Sequence, residues 1–251
     1  MVPLPFTWAK SRTLLSRELA IRGVPRERRE NILLLIGRIE KSGLENYEII
    51  VADENSPDGT AAAVNAYAAE GHPNVRAILN DGEPGLSPSI VKGFQAAQGE
   101  FLCCMDGDLQ HDVADLAGLL GELETHDFAI GSRYVRGGGF REKWNPFRVL
   151  VSRTAAAMAH IILGVRVKDP MSGFFALRRE AFERAAPQLS PKGFKIMLEL
   201  LYVLTNSPEP CRVVEHGITF GLREHGKSKL SAKVMLDYVG MLCALRRSRH
   251  A

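Results

Sequence analysis

Cysteine is scarce in this sequence, and the cysteines present do not have the spacing of a metal site or a redox pair. The chain has 251 residues and four cysteines, of which Cys103 and Cys104 stand in an apolar stretch. No Cys-x-x-Cys pair occurs, which argues against a zinc ribbon and a thioredoxin-like site. We therefore expect reduced core residues, as in a cytosolic protein. This expectation covers Cys103, Cys104, Cys211 and Cys243.

Other absences narrow the class of protein further. No apolar run reaches the roughly 18 residues that a membrane-spanning helix needs. Residues 1–20 lack the compact apolar segment and cleavage site of a secretory signal. No internal repeat stands out, and no aromatic RNA-binding pattern, zinc spacing or helix-turn-helix signal supports binding of nucleic acid. Hydrophobic content of 45% and charged content of 24% are ordinary for one globular domain with short appendages.

The net charge of +3 hides an uneven distribution of charge. Residues 1–126 carry 11 Lys and Arg against 19 Asp and Glu, whereas residues 127–251 carry 21 against 10. An acidic half beside a basic half indicates a site that holds a cation on one side and phosphate groups on the other.

The most informative stretch is an apolar run that ends in two carboxylates, at Phe101–Gln110. The run predicts a buried strand, and residues i and i+2 of an extended segment point the same way. Asp106 and Asp108 can then meet one hard cation, with Gln110 as a third oxygen ligand. The alternative is a pair of solvated loop acids. Asp112 is better explained as the N-cap of the next helix.

Strand and helix patterns alternate over the first half of the chain, which predicts an α/β fold with a parallel sheet covered on both faces. Residues 1–24 show no clear element. The expected strands are 47–52, 75–79, 101–106 and 128–131, and the expected helices are 29–41, 60–70, 86–98 and 113–124. The second half is more basic, with a Gly-rich loop at 133–140, helices at 145–163, 195–204 and 234–245, a strand at 174–177 and an extended segment at 212–220.

Four segments in this order resemble one family. They are Ile49–Thr60, Met105–His111, Ile130–Tyr134 joined to Lys168–Phe174, and Phe220–Leu230, with further support from Pro191–Leu201. This set resembles the polyprenol-phosphate (dolichol-phosphate) mannosyltransferases, which are inverting family 2 glycosyltransferases. The resemblance runs from about residue 47 to residue 240.

The resemblance implies a GT-A fold, which is Rossmann-like, with a mostly parallel central sheet flanked by helices. It implies an enzyme that moves mannose from GDP-mannose to a polyprenol or dolichol phosphate with Mg²⁺ or Mn²⁺. The expected parts are an atypical N-terminal segment at 1–24, the glycosyltransferase domain at 25–230, and an amphipathic helix with a basic tail at 231–251.

The resemblance also implies roles for individual residues. Asp108, Arg133 and Arg223 would be catalytic. The nucleotide sugar would contact Pro25, Asp53, Glu54 and Asp106, and the metal would be held by Asp106, Asp108 and Gln110. The acceptor phosphate would lie among Arg133, Arg148, Ser152, Arg223 and Lys229. The two histidines beside these motifs, His111 and His225, have either a direct chemical role or a supporting one.

Residue chemistry supports this activity independently. A phosphate monoester with a second pKa near 6 is largely a dianion at neutral pH, so this nucleophile needs no strong base. The chain accordingly has no obvious Ser-His-Asp or Cys-His set. The reaction instead needs a cation at the departing diphosphate and arginines that bring a second anion close to it.

The chain departs from the family pattern at the donor site. Residues 19–31 keep Pro25 but lack the family's Tyr-Asn-Glu, Glu54 replaces an aspartate, and residues 80–84 are acidic where the family has a basic loop. Two alternatives to mannosyl transfer therefore stay open. One is a polyprenol-phosphate glucosyltransferase that uses UDP-glucose, and the other is a non-catalytic relative with a degenerate donor pocket.

The lipid acceptor implies contact with a membrane. The helices at 145–163 and 234–245 have apolar faces, so each either lies in a membrane interface or packs on the sheet. We expect a peripheral protein at the cytoplasmic membrane face, with a separate membrane-anchoring subunit as a further partner and no nucleic acid.

Overall fold

The computed structural model describes residues 12–17, 26–82, 85–141, 146–190, 195–221 and 232–248. The strands in these ranges are β1 (Arg12–Arg17), β2 (Tyr47–Asp53), β3 (Val75–Leu79), β4 (Phe101–Asp106), β5 (Phe128–Ser132), β6 (Gly139–Phe140), β7 (Phe175–Arg178), β8 (Val213–Gly217) and β9 (Thr219–Phe220). The helices are α1 (Arg26–Glu40), α2 (Thr60–Ala69), α3 (Leu86–Ala96), α4 (Ala114–Gly121), α5 (Pro146–Leu163), α6 (Arg179–Ala185), α7 (Ile196–Thr205) and α8 (Ala232–Ser248). Short 3₁₀ turns follow α4 and α6.

Within the described ranges, seven strands form one sheet in the order β3-β2-β1-β4-β7-β5-β8. The pairs β3–β2, β2–β1, β1–β4 and β5–β8 are parallel, and β7 runs antiparallel to both β4 and β5. The expected mostly parallel sheet is confirmed. A small second sheet pairs β6 with β9 in parallel.

The sheet is covered on both faces because its strands alternate their side chains between two cores. In β4, Leu102 and Cys104 join one buried cluster, and Phe101, Cys103 and Met105 join the other. The first cluster includes side chains of α3, α5, α6, α7 and α8, and the second includes those of α1, α2 and α4.

The N-terminal region differs from the expectation that residues 1–24 contain no element. Residues Arg12–Arg17 form β1, which lies in the sheet between β2 and β4. This strand is short and has arginine at both ends, so its apolar signal is weak, and its position comes from pairing on both sides. The carboxyl end of β1 lies beside the carboxyl ends of β2 and β4, since Arg17 pairs with Ala52 and with Asp106.

The cysteine expectation is confirmed for Cys103, Cys104 and Cys211, which are free and buried. Burial raises the pKa of the Cys103 thiol, which keeps it protonated and unreactive. The expectation is wrong for Cys243, which is exposed on α8 because it lies on the side of the helix away from buried Leu242.

The helices α5 and α8 pack on the sheet and on each other. From α5, Ala155 and Ala159 enter the first core, and Tyr238 of α8 donates a hydrogen bond to the carbonyl of Ala155 at 2.9 Å. The opposite side of α5 exposes Leu150 and Ile161, at 61% and 79%. Across the described ranges, no helix combines the length and apolar character required to cross a bilayer.

Candidate active site at the carboxyl edge of the sheet

The acidic residues singled out in the sequence meet at one edge of the sheet. Strands β2 and β4 end at Asp53 and Asp106, and β5 ends at Ser132, directly before Arg133. Since these strands run in the same direction, their carboxyl ends lie on the same edge. The antiparallel strand β7 begins there, so the turn that precedes it enters the same region. Ligands of open α/β sheets bind at such an edge.

The Asp106 carboxylate lies between a histidine and a glycine. The side chain of Asp106 is 18% exposed, and its Oδ2 lies 3.7 Å from Nε2 of His111. The imidazole of His111 is 2% exposed and packs against Phe174 and Phe220, with ring centroids 5.0 Å away in both cases. The backbone of Gly173 also approaches Oδ2 and leaves no room for a Cβ beside the Asp106 carboxylate. His111 therefore has a supporting position behind Asp106.

The Asp106–Gln110 segment turns sharply at the end of β4. Asp108 Oδ1 accepts a hydrogen bond from the Gln110 N–H at 3.2 Å, as in an Asx turn. Between them, Leu109 has a φ of 61°, which is costly for a branched residue, but its side chain is buried in the second core. The packing of Leu109 thus holds a turn that its backbone alone disfavours.

The side chain of Gln110 also holds the chain just after β9. Its Nε2 donates to the Gly221 carbonyl at 3.1 Å, and the Gly221 N–H donates to the Gln110 carbonyl at 2.7 Å. Oε1 is therefore the atom of this amide that can serve a cation. Gly221, the last described residue before Arg223 and Lys229 in the sequence, therefore lies beside the Asp106–Gln110 turn.

The donor atoms at this turn fit a hard cation that is only partly held by the protein. Asp106 and Asp108 are both half-buried rather than sealed in the core, and Gln110 adds an amide oxygen. Within the described ranges, no three His, Cys, Asp or Glu side chains are arranged to hold a metal ion together. Mg²⁺ is usually bound by one or two carboxylates plus phosphate oxygens of a ligand, and this donor set matches that pattern.

The two acids expected at the nucleoside have different surroundings. Asp53 is 1% exposed, and its Oδ1 accepts the Ser56 N–H at 3.1 Å. Glu54 Oε1 accepts hydrogen bonds from the N–H of Gly85 and the hydroxyl of Ser89, both at 3.1 Å. A carboxylate is stabilised at a helix N-terminus, so Glu54 tethers the start of α3 to the end of β2. Pro25 lies outside the described residues.

Arg133 forms a buried ion pair at the end of β5. Its Nε and Nη2 each donate to one oxygen of Asp169 at 2.7 Å, and its backbone N–H donates to Asp169 Oδ2 at 3.1 Å. The side chains are 9% and 1% exposed. Burial alone would lower the pKa of the Arg133 guanidinium, but the pair with Asp169 outweighs it and raises that pKa. Arg133 therefore stays charged in a nearly closed environment.

The residues expected at the acceptor phosphate are brought together in part. The hydroxyl of Tyr134, next to Arg133, donates to Ser152 Oγ on α5 at 3.3 Å. Arg148 lies one helical turn before Ser152 in α5, and its side chain is outside the described set. Arg223, Lys229 and His225 also lie outside the described residues, so their roles stay predictions.

Sequence reasoning missed the turn that precedes β7 as a part of the site. It gave no role to Asp169, which holds Arg133, or to Gly173, which lies against Asp106. The sequence did contain a signal for this turn, since Pro170 and Gly173 are residues typical of turns. Both stand in the segment Lys168–Phe174, which belongs to the same motif as Ile130–Tyr134.

Comparison with known families supplies the identification. The model of the family "Glycosyl transferase family 2" matches residues 26–185. The chain belongs to this family. It is a glycosyltransferase, as the resemblance of its motifs had implied.

Several relatives of this glycosyltransferase have names that refer to a lipid phosphate or to phosphomannose synthesis. It is 42% identical over 197 residues to dolichol-phosphate mannosyltransferase of Saccharomyces cerevisiae, covering 78% of this chain and 73% of that protein. It is 41% identical over 216 residues to the enzyme of the same name from Pyrococcus furiosus, covering 84% of this chain and 58% of that one. Polyprenol monophosphomannose synthase of Mycolicibacterium smegmatis is 35% identical over 208 residues, which are 81% and 77% of the two chains.

Solved structures confirm the GT-A fold. Glucosyl-3-phosphoglycerate synthase of Mycobacterium tuberculosis, solved with Mn²⁺, UDP and glucosyl-3-phosphoglycerate, superposes with a TM-score of 0.67. The alignment covers 96% of this chain and 80% of that chain at 18% identity. A second structure of that synthase, with Mn²⁺ and UDP-glucose, gives 0.65 at 17% identity and covers 96% and 79%. At this identity the likeness concerns the fold alone.

Proposed function

We propose that this family 2 glycosyltransferase transfers mannose from GDP-mannose to the phosphate of a polyprenol or dolichol, with inversion and with the help of Mg²⁺ or Mn²⁺. The observation that carries the proposal is that Phe220 packs against both the His111 ring beside Asp106 and the guanidinium of Arg133, which places the acidic turn near the buried arginine. The names of relatives that are 35–42% identical support the same activity.

The site is suited to displacement of a diphosphate by a phosphate. A divalent cation held by Asp106, Asp108 and Gln110 would supply charge stabilisation at the departing diphosphate. Arg133, with Ser152 nearby on α5, supports binding of the acceptor phosphate, because a guanidinium forms strong charge-assisted hydrogen bonds with phosphate oxygens. Since the acceptor is already an anion at neutral pH, no catalytic base is assigned.

The surface of α5 supports access to a lipid. Leu150 and Ile161 are exposed on the same helix that places Ser152 near the site. A helix with an exposed apolar side can lie in the interface of a bilayer, so that the lipid's phosphate reaches the site while its chain stays in the membrane. We therefore propose peripheral attachment at the cytoplasmic membrane face, and a separate anchoring subunit remains a further proposal.

The donor is tested by thermal stability. GDP with Mn²⁺, present at about 100 times its dissociation constant, adds about 2.7 kcal/mol to the free energy of unfolding. For a domain of this size, this corresponds to a rise in Tm of roughly 5–10 °C. UDP with Mn²⁺ in parallel wells tests the glucosyl alternative. A shift with UDP and none with GDP would exclude GDP-mannose.

Two aspartates near the end of β2 give a matched pair of variants. Asp53→Ala should abolish the shift if Asp53 contacts the nucleoside. Asp58→Ala should keep it, because the Asp58 carboxylate accepts hydrogen bonds from the N–H and hydroxyl of Thr60 at the start of α2, at 3.1 and 2.7 Å. An equal nucleotide shift in both variants would contradict the role of Asp53.

The reaction is tested by transfer of labelled mannose to polyprenyl phosphate in detergent, with the product identified by mass spectrometry. We expect transfer with Mn²⁺ and its loss in excess chelator. A fully folded protein that binds no nucleotide and transfers no sugar would favour the non-catalytic alternative.

A further inference from the structure

The turn between α5 and β7 contacts two parts of the site and one further strand of the sheet. Asp169 binds Arg133 at the end of β5, and Gly173, four residues later, lies against the carboxylate of Asp106 at the end of β4. Glu215 of β8 holds the beginning of the turn, since its two carboxylate oxygens accept the N–H groups of Lys168 and Asp169 at 2.8 and 3.0 Å. Glu215 therefore fixes the backbone of Asp169, and this leaves the side chain of Asp169 in place to bind Arg133.

Asp169 engages one edge of the Arg133 guanidinium. It accepts from Nε and from Nη2, which are two of the five N–H groups of the planar fork. The third hydrogen bond, from the backbone N–H of Arg133, fixes the two residues at both the main chain and the side chain. With Nε and one N–H of Nη2 directed at Asp169, the Nη1 side of the plane is directed away from it.

Aromatic rings further restrict the guanidinium. Its Cζ lies 5.2 Å from the ring centroid of Phe220, 5.5 Å from Tyr134 and 5.8 Å from Phe140. These distances allow cation–π attraction, which favours the charged form without offering a hydrogen-bond acceptor. Phe220 also packs against the ring of His111 beside Asp106, so the buried cation and the carboxylate turn share one neighbour at this edge of the sheet.

We propose that Asp169 is a positioning residue, which orients the Arg133 guanidinium so that the edge opposite Asp169 meets a phosphate group of the substrate. This inference rests on the proposed function, and it gives Asp169 a role that the sequence motifs alone did not suggest. The phosphate belongs to either the nucleotide diphosphate or the lipid phosphate, and the experiment distinguishes the two.

The chain offers a matched control for this ion pair. Arg212 binds Asp127 in the same three-bond pattern, through its backbone N–H at 2.9 Å and through Nε and Nη2 at 3.3 Å. This pair lies at the opposite edge of the sheet, before β5 and β8, and Arg212 is 64% exposed. Asp127→Asn therefore removes the same charge from the same geometry away from the site.

The experiment measures kcat and both KM values for mannosyl transfer by the wild type and by Asp169→Asn, Arg133→Gln, the double variant and Asp127→Asn. We expect Asp169→Asn to lower kcat/KM about 10- to 100-fold, as loss of a residue that orients a ligand-binding group commonly does. A rise in KM for the lipid phosphate alone would assign Arg133 to the acceptor, and a rise in KM for the nucleotide sugar alone would assign it to the donor.

The double variant separates positioning from stability. If Asp169 acts through Arg133, then Asp169→Asn should cause no further loss of kcat/KM in the Arg133→Gln background. The double variant also removes the buried cation that Asp169→Asn leaves without its carboxylate, so it should recover Tm relative to Asp169→Asn without recovering activity. The proposal would be overturned if the double variant lost kcat/KM by the product of the two single losses. It would also be overturned if Asp169→Asn lowered kcat/KM no more than Asp127→Asn does.

A binding measurement keeps this inference independent of the reaction. Calorimetry with Mn²⁺ and inorganic pyrophosphate, and separately with inorganic phosphate, should show at least tenfold weaker binding of one of them to Asp169→Asn. If the wild type binds these anions but transfers no mannose, the proposed function fails while this comparison still decides the role of Asp169. Unchanged binding of both anions, together with unchanged KM values, would refute it.

Discussion

Replacing Gly173 with alanine is a direct test of whether the position of the Asp106 carboxylate matters for activity. A Cβ on Gly173 would overlap Oδ2 of Asp106 and lie 3.0 Å from its Cγ. Since ordinary contacts begin at 3.4 Å, the carboxylate carbon must move by about 0.4 Å and Oδ2 by more. The backbone of Gly173 does not have a positive φ, so alanine itself introduces no strain there.

The displaced carboxylate belongs to neither apolar core and its side chain is 18% exposed, so the fold should survive with a change in the free energy of unfolding of about 1 kcal/mol or less. Catalysis is more sensitive, since a misplacement of about 1 Å can lower the rate about 100-fold. We expect Gly173→Ala to lower kcat/KM for mannosyl transfer about 10- to 100-fold and to raise the Mn²⁺ concentration that gives half-maximal activity.

Two variants complete this experiment. Gly37→Ala is the matched control, because Gly37 lies within α1 with nothing within 4 Å of an added Cβ. It should keep full activity and gain about 0.5–1 kcal/mol of stability. Asp108→Asn should remove most activity with the fold intact. If Gly173→Ala has the activity and Mn²⁺ dependence of the wild type, the position of Asp106 is not what limits the reaction.

Two further predictions concern stability. Burial raises the pKa of the Glu199 carboxyl above its ordinary 4.5, although the Ser190 N–H donates to it at 2.6 Å. The charged form is thus a cost to the fold at neutral pH, so Glu199→Gln should raise Tm at pH 7.5, and this gain should disappear below about pH 4.5, where both unfolded and folded Glu199 are protonated. A gain that persists at pH 4 would contradict this cause. Tyr238→Phe removes the hydrogen bond to Ala155 and should lower the free energy of unfolding by about 1 kcal/mol, measured by urea titration. Tyr202→Phe is its control, since that hydroxyl has no hydrogen bond to the described residues, and an equal loss in both variants would refute the assignment.

The alternation of apolar runs and amphipathic segments predicted most of the fold. The strand at Val75–Leu79 is confirmed with the same bounds, and most other expected elements differ by a few residues at their ends. Periodicity could not reveal β1, since a short strand paired on both sides needs little local signal. The helix α6 was also not expected. The direction of β7 depends on how the chain returns to the sheet after α5, which no local pattern records.

The part of the candidate site that is formed by residues close together in the sequence could be predicted. Asp106, Asp108 and Gln110 follow one strand, so their convergence follows from strand geometry. The pairing of Arg133 with Asp169 joins residues that are 36 positions apart, and only the antiparallel return of β7 brings them together. The resemblance identified the two motifs that contain Arg133 and Asp169, but it did not predict that these two residues form an ion pair.

The place of β7 in the sheet has a consequence for the order of folding. β7 fills the gap between β4 and β5, although the chain reaches it only after both strands and the whole of α5. Until then, β4 and β5 each present an unpaired inner edge, which is the kind of surface that pairs with other chains. Such late, long-range pairing is slow, so the two open strand edges are exposed to aggregation while the chain is being synthesised. Fragments that stop before Phe175 should therefore aggregate, whereas the full sheet has this gap closed by its own chain.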